Sequence, residues 1–133
     1  MATLDDVRRL AESLPEVTSK LSWGHEMWRV RDKSFVWERP LRKTDLAALG
    51  DAAPEGEILG VRVADEGEKQ ALIASEPDIY FTIPHFDGYP AVLVRLAAVE
   101  EDELEEIVTE AWLLRAPKRL AQQFLAEREL GQA

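Results

Sequence analysis

Two prolines bracket a heptapeptide rich in reactive side chains, Pro84-His85-Phe86-Asp87-Gly88-Tyr89-Pro90. A histidine titrates near neutral pH, so a His-x-Asp pair could serve as an acid and base or as half of a metal site. Two ligands are too few for a metal, and His25-Glu26 would have to arrive from another strand to complete a set. The plainer reading is that Asp87 makes an Asx-type turn before Gly88 while His85 packs or hydrogen-bonds locally. Trp23, just before Gly24 at a strand mouth, is the tryptophan suited to wall a pocket. His85, Asp87, Tyr89 and Trp23 are therefore the candidate pocket residues, with no catalytic or metal role assigned. For all four tryptophans, Trp23 with Trp28, Trp37 and Trp112, a core position is the plainer expectation.

Basic residues collect in two places. Between positions 29 and 43 lie Arg29, Arg31, Lys33, Arg39, Arg42 and Lys43, against Asp32 and Glu38. Arg115, Lys118 and Arg119 straddle a break between two helices. A helix start offers free N–H groups beside those cations, which suits phosphate. Arginine and lysine on a β-ribbon can likewise hold phosphates without reading bases. Arg29, Arg31, Lys33, Arg115, Lys118 and Arg119 are the candidate nucleic-acid contacts. The competing reading is an edge hairpin kept soluble by its charge, with Arg115 matched to a helix C-terminus.

The whole chain carries a net charge of −10 and a pI near 4.7, which opposes a polyanion at long range. The charge is split between basic segments and an acidic remainder, so two electrostatic faces are expected if folding gathers the basic segments. Glu100 to Glu106 could attract a hard cation, but acids at a helix start ordinarily match the dipole and stay solvated. There is no cysteine, which excludes disulfides, thiolate nucleophiles and Cys-ligated metal. No Gly-x-Ser-x-Gly elbow, phosphate loop, dinucleotide glycine turn or His-Glu-x-x-His occurs, so neither an enzyme nor a cofactor is predicted. No apolar run approaches a membrane span, and the first residues lack a secretory layout. A bacterial cytoplasmic protein is expected.

The elements that must position these residues follow from periodicity. Thr3 with Asp6 is a capping-box variant opening a helix whose stripe is Leu4, Val7, Leu10, Ala11 and Leu14, stopped by Pro15. Trp23 to Val30 and Ser34 to Glu38 form a hairpin about Asp32-Lys33, with Phe35 and Trp37 on one face. Residues 39–56 read as a long loop with a helical turn at Asp45–Leu49. Ile58 to Ala64 is a strand with Leu59, Val61 and Val63 inward, and Glu66 to Ser75 a short helix. Ile79 to Ile83 and Ala91 to Leu96 are two further strands. Leu104, Ile107, Val108, Ala111 and Trp112 stripe one helix; Leu120, Ala121, Phe124 and Leu125 stripe the last. The prediction is a single α+β domain over residues 1–133. It is a two-layer sandwich with a five-stranded antiparallel sheet, helices on one face, and α-β(3)-α-β(2)-α-α order.

Three pieces of sequence are similar to one family. They are Pro84-His85-Phe86-Asp87-Gly88-Tyr89-Pro90-Ala91-Val92-Leu93-Val94-Arg95-Leu96, then Asp102-Glu103-Leu104, then Ala111-Trp112-Leu113-Leu114-Arg115-Ala116-Pro117-Lys118-Arg119-Leu120. With the Leu14-Pro15 helix end and Ser22-Trp23-Gly24, the chain resembles the MmcQ/YjbR family over nearly its whole length. The resemblance implies an α-β(3)-α-β(2)-α sandwich shared with secretion chaperones. It also implies DNA binding, which members are labelled with on a double-wing arrangement. The −10 charge and the acidic 100–106 stretch speak against indiscriminate DNA binding.

The expected function is a non-enzymatic module binding DNA weakly and salt-sensitively through the basic hairpin and helix junction. Two alternatives stand beside it: a chaperone-like protein-interaction module forming a homodimer, and a small-ligand or enzymatic pocket near Trp23, His85 and Tyr89. No membrane partner is expected.

Overall fold

A computed structural model describes residues 2–22, 24–50 and 56–132. The elements run α1 (Leu4–Glu12), β1 (Val17–Ser22), β2 (His25–Val30), β3 (Lys33–Glu38), α2 (Lys43–Leu49), β4 (Ile58–Arg62), α3 (Glu66–Ser75) and β5 (Tyr80–Phe81). A 3-10 turn (Pro84–Phe86), β6 (Ala91–Arg95), α4 (Glu101–Arg115) and α5 (Lys118–Gln132) complete the chain. The capping box forms as expected: Thr3 Oγ1 accepts from the Asp6 amide at 3.2 Å, and the Thr3 amide donates to Asp6 at 2.9 Å.

All strand pairs are antiparallel, in the order β1-β2-β3-β4-β6-β5. The sheet has six strands where five were expected. The additional strand is β1, a polar edge segment with four consecutive exposed residues between its ends, so no apolar alternation marks it.

Along β4 and β6 the side chains alternate between two apolar clusters. Leu59, Val61, Val92 and Val94 join the larger one with α1 and α4. Ile58, Ala91 and Leu93 join a smaller one with Phe81, Ile83 and Phe86, onto which Trp37, Leu41 and Leu49 pack. Helices therefore do not all lie on one face: α2 packs beside the 3-10 turn over the second face, supplying Leu49 to its cluster. Both faces of the sheet are covered here because β4 and β6 are apolar at every position except Gly60, Arg62 and Arg95.

A register shift between Trp28 and Arg29 places one extra residue, Phe35, on β3. Trp28 pairs with Val36 and Arg29 with Ser34. Phe35 and Val36 both enter the larger cluster, while Trp37 packs on the smaller. The bulge thus separates Phe35 from Trp37, which strict alternation had put on one face.

The α4 stripe is buried at all of its expected positions. On α5, Leu120 and Phe124 pack on the core, but Leu125 is exposed. Among the described residues no helix is long and apolar enough to cross a membrane.

Candidate functional site

The second sheet face carries a groove. Its floor is Met27 and Trp37, cross-strand partners on β2 and β3. Trp37 also pairs with Gly60 on β4, and a Cβ at position 60 would overlap the indole. Only glycine lets the ring settle onto the sheet there. The opposite wall comes from the 3-10 turn and the residues after it: Phe86 lies 6.3 Å from Trp37 and 6.0 Å from Tyr89, ring centre to ring centre. His85 stands edge-on to Phe86 at 5.0 Å. These side chains, with Ser34 and Arg39, enclose about 340 Å³.

That wall is tied down from behind. Lys69 on α3 is buried and its Nζ donates to the Phe86 carbonyl at 2.7 Å and the Tyr89 carbonyl at 3.1 Å. Arg39 is buried too, paired with Asp45 at 3.2 Å and set 5.6 Å from the Phe86 ring centre. Its charge is spent within the fold. Beyond Trp37 a second recess of about 520 Å³ holds His25, whose Nδ1 lies 2.6 Å from a Glu38 carboxylate oxygen.

At the Ser34–Tyr89 end of the groove three arginines converge. Arg29 is the cross-strand partner of Ser34. Arg115, at the end of α4, donates from Nε to the Ser34 carbonyl at 3.2 Å. Arg62, the last residue of β4, donates to the Tyr89 hydroxyl at 3.0 Å and sits over that ring at 5.1 Å. Arg29 reaches only an exposed Asp32, at 3.7 Å. Among the described residues no carboxylate lies within ion-pair distance of Arg62 or Arg115. The Nε atoms of Arg29 and Arg62 are buried without an acceptor. Burial, and then the positive charge of Arg62, draw Arg115 below its ordinary pKa. Cations gathered without a carboxylate partner form a surface whose chemistry suits an anion.

The structure brings some of the expected residues together and disperses others. Arg29 and Arg115 meet through Ser34, so the hairpin and the helix junction do converge. Arg31 is turned away and taken by Glu16 on the other side of the hairpin. Lys33, Lys118 and Arg119 are exposed near the cluster's elements but make no described ion pair. His85 and Tyr89 share the groove wall, whereas Asp87 is exposed and does not line it. His25 sits in the neighbouring recess, and no group of three or more potential metal ligands occurs among the described residues. Trp23 lies outside the described residues. Trp28 and Trp112 are fully buried, as a core role requires.

A family model named YjbR matches residues 12–114. The chain belongs to the YjbR family. The matched stretch includes Trp37, Arg62, Lys69 and Tyr89 and ends just before Arg115. Two relatives, uncharacterised proteins Rv2570 of Mycobacterium tuberculosis and Mb2600 of Mycobacterium bovis, are each 59% identical over 129 residues, covering 95% of this chain and 98% of the relative. A crystal structure of Deinococcus radiodurans protein DR2400, with a DUF419 domain, is similar in fold: TM-score 0.63 at 20% identity, over 86% of this chain and 78% of that one.

Reading this YjbR sequence by motif overlooks Trp37, Arg62, Lys69 and Phe86 as site residues. Arg62 did carry a signal, a lone cation ending the apolar run Ile58-Leu59-Gly60-Val61. Lys69 carried none, since a lysine on a short charged helix ordinarily reads as solvated.

Proposed function

We propose that this protein is a non-enzymatic module that binds nucleic acid through its phosphates, at the surface where the β2–β3 hairpin meets the end of α4. The observation that carries this reading is that Arg62 on Tyr89, Arg115 on the Ser34 carbonyl and Arg29 opposite Ser34 gather at one end of the groove, with no carboxylate on Arg62 or Arg115 among the described residues. Exposed Lys33, next to Ser34 in the chain, and exposed Lys118 and Arg119, just after Arg115, are the further cations this reading draws on. The acids on the outer side of α4, among them Asp102, Glu105, Glu106 and Glu110, confine contact to that border and keep affinity modest.

The test is fluorescence anisotropy of labelled DNA at low and physiological salt. Binding that weakens steeply with salt supports phosphate contact, and the slope counts the contacts approximately. Arg115→Ala with Lys118→Ala should weaken binding to every sequence alike. No binding at low salt, or affinity unaltered by the double substitution, refutes the reading.

A second reading has its own observation. Among the described residues β1 pairs only with β2, leaving an open strand edge beside an exposed Leu21. An open edge can pair with another strand, so we also infer a capacity for a homodimer through β1. Sedimentation over a hundredfold range of concentration decides it: a mass that doubles supports the dimer, and an invariant monomer removes it.

A further inference from the structure

We propose that the groove over Trp37, Phe86 and Tyr89 seats one unstacked nucleobase whose phosphate rests on Arg62 and Arg115, so that the ligand is single-stranded nucleic acid. This rests on the nucleic-acid reading and names the form of ligand within it.

Four features carry the inference. First, the groove is aromatic and shallow-walled: Trp37 is backed by Gly60 on the sheet side and lines the groove, facing Phe86 and the 41% exposed Tyr89. A planar ring fits such walls, and stacking on aromatic side chains is how unpaired bases are held. Second, about 340 Å³ lies at the lower end of small-molecule sites and suits one ring system, not an extended ligand. Third, two residues belong to both the groove and the arginine cluster. Tyr89 walls the groove and its hydroxyl accepts from Arg62, and Ser34 lines the groove while its carbonyl accepts from Arg115. Arg39, which also lines the groove, is paired with Asp45, so the cations without a carboxylate lie at one end of a ring seated there, as a base has its phosphate. Fourth, the arginines are positioned before any ligand arrives. Arg62 is held by Tyr89 and Arg115 by Ser34, so little side-chain freedom remains to be lost on binding.

A duplex does not meet these conditions, because its bases are already stacked and paired. Entering the groove would require flipping one out, at an unstacking cost that a single strand avoids.

The experiment compares a labelled thymidine strand of about 12 nucleotides with its duplex by anisotropy. It adds tryptophan fluorescence with thymidine monophosphate and, separately, inorganic phosphate. The strand should bind at least about tenfold more tightly than the duplex. Tyr89→Ala should remove most of that preference, while Tyr89→Phe, which keeps the ring, retains it. Arg62→Gln should weaken the strand and the monophosphate together and lower the salt slope by about one. Thymidine monophosphate should quench fluorescence in the parent protein and not in Trp37→Phe, a readout that stands even if Tyr89→Ala does not fold.

Equal affinity for strand and duplex, with Tyr89→Ala unaltered, overturns the base seat while the phosphate-binding reading survives. Phosphate acting as well as the monophosphate overturns it too. Quenching by the monophosphate with no strand bound keeps the seat, assigns it to a free nucleotide, and refutes the nucleic-acid reading instead.

Discussion

Lys69 crosses from α3 beneath the 84–90 segment, and its ammonium is shared between the carbonyls of Phe86 and Tyr89 at 2.7 and 3.1 Å. That side chain reinforces the spacing of the two aromatic residues that wall the groove, which the Tyr89 amide donating to the Phe86 carbonyl at 3.0 Å also holds. Its acidic neighbour Glu66 lies 3.8 Å away and is half exposed, so the carbonyls are its principal partners. Lys69→Met should remove the charged donor from both carbonyls, leaving them only the backbone amides of Tyr89 and Ala91, and destabilise the fold by about 1 to 3 kcal/mol. Glu66→Gln should cost under about 1 kcal/mol, as exposed ion pairs do. Urea denaturation of the two variants checks the contrast, and faster amide exchange over 84–90 in Lys69→Met locates its origin.

Gly60 is required by contact, not by turn geometry. Gly60→Ala drives a methyl group into the Trp37 indole and should destabilise by roughly 1 to 3 kcal/mol, the usual range for overpacking. Combining it with Trp37→Leu should recover part of that loss. Additive losses in the double variant would show that the two residues do not meet.

Tyr80 supplies a pH dependence. Its ring is buried and its hydroxyl donates to Glu103 at 2.5 Å. Burial, then the Glu103 carboxylate, push the phenol well above its ordinary value. The neutral phenol is therefore favoured in the folded state. That contribution is complete below the unfolded tyrosine value of about 10 and is lost as pH rises through the folded one. Stability should fall above about pH 10 in the parent protein and fall less in Tyr80→Phe. Reading the difference between the two proteins cancels the lysines that titrate nearby in pH. At pH 7 the substitution should cost about 1 to 2 kcal/mol for the lost charge-assisted hydrogen bond.

The arginine cluster should respond to anions alone. Two adjacent guanidinium groups without a carboxylate repel, and inorganic phosphate placed between them stabilises the folded state by mass action. Thermal unfolding should shift upward with phosphate beyond the shift produced by chloride at matched ionic strength. Arg62→Gln should abolish the excess, whereas Arg31→Gln, whose parent side chain is engaged by Glu16, should not.

Much of the helical layer was legible because helices advertise themselves locally. Thr3 with Asp6 marks the start of α1, and the stripe from Leu104 to Trp112 marks the buried side of α4. The sheet was less legible where tertiary context decides. β1 reads Val-Thr-Ser-Lys-Leu-Ser, a sequence that becomes a strand because β2 offers hydrogen bonds, not because its side chains need burial. The bulge at Phe35 leaves no mark in composition, yet it sends Phe35 and Trp37 to opposite faces. Of the site, the sequence showed the cationic segments and the His85–Tyr89 turn. It did not show that Arg62 stands between them, since strand order across β3, β4 and β6 alone makes them neighbours.

The charge segregation between the layers has one more effect. Arg29, Arg62 and Arg95 project from one sheet face, while α4 on the other turns its glutamates outward. Those three arginines and the outward glutamates of α4 add a component of charge separation across the sheet. In the field of any extended polyanion the molecule experiences a torque before it experiences a contact, and that torque turns the arginine side forward. A protein that is repelled as a monopole is then biased toward one orientation as it approaches such a partner.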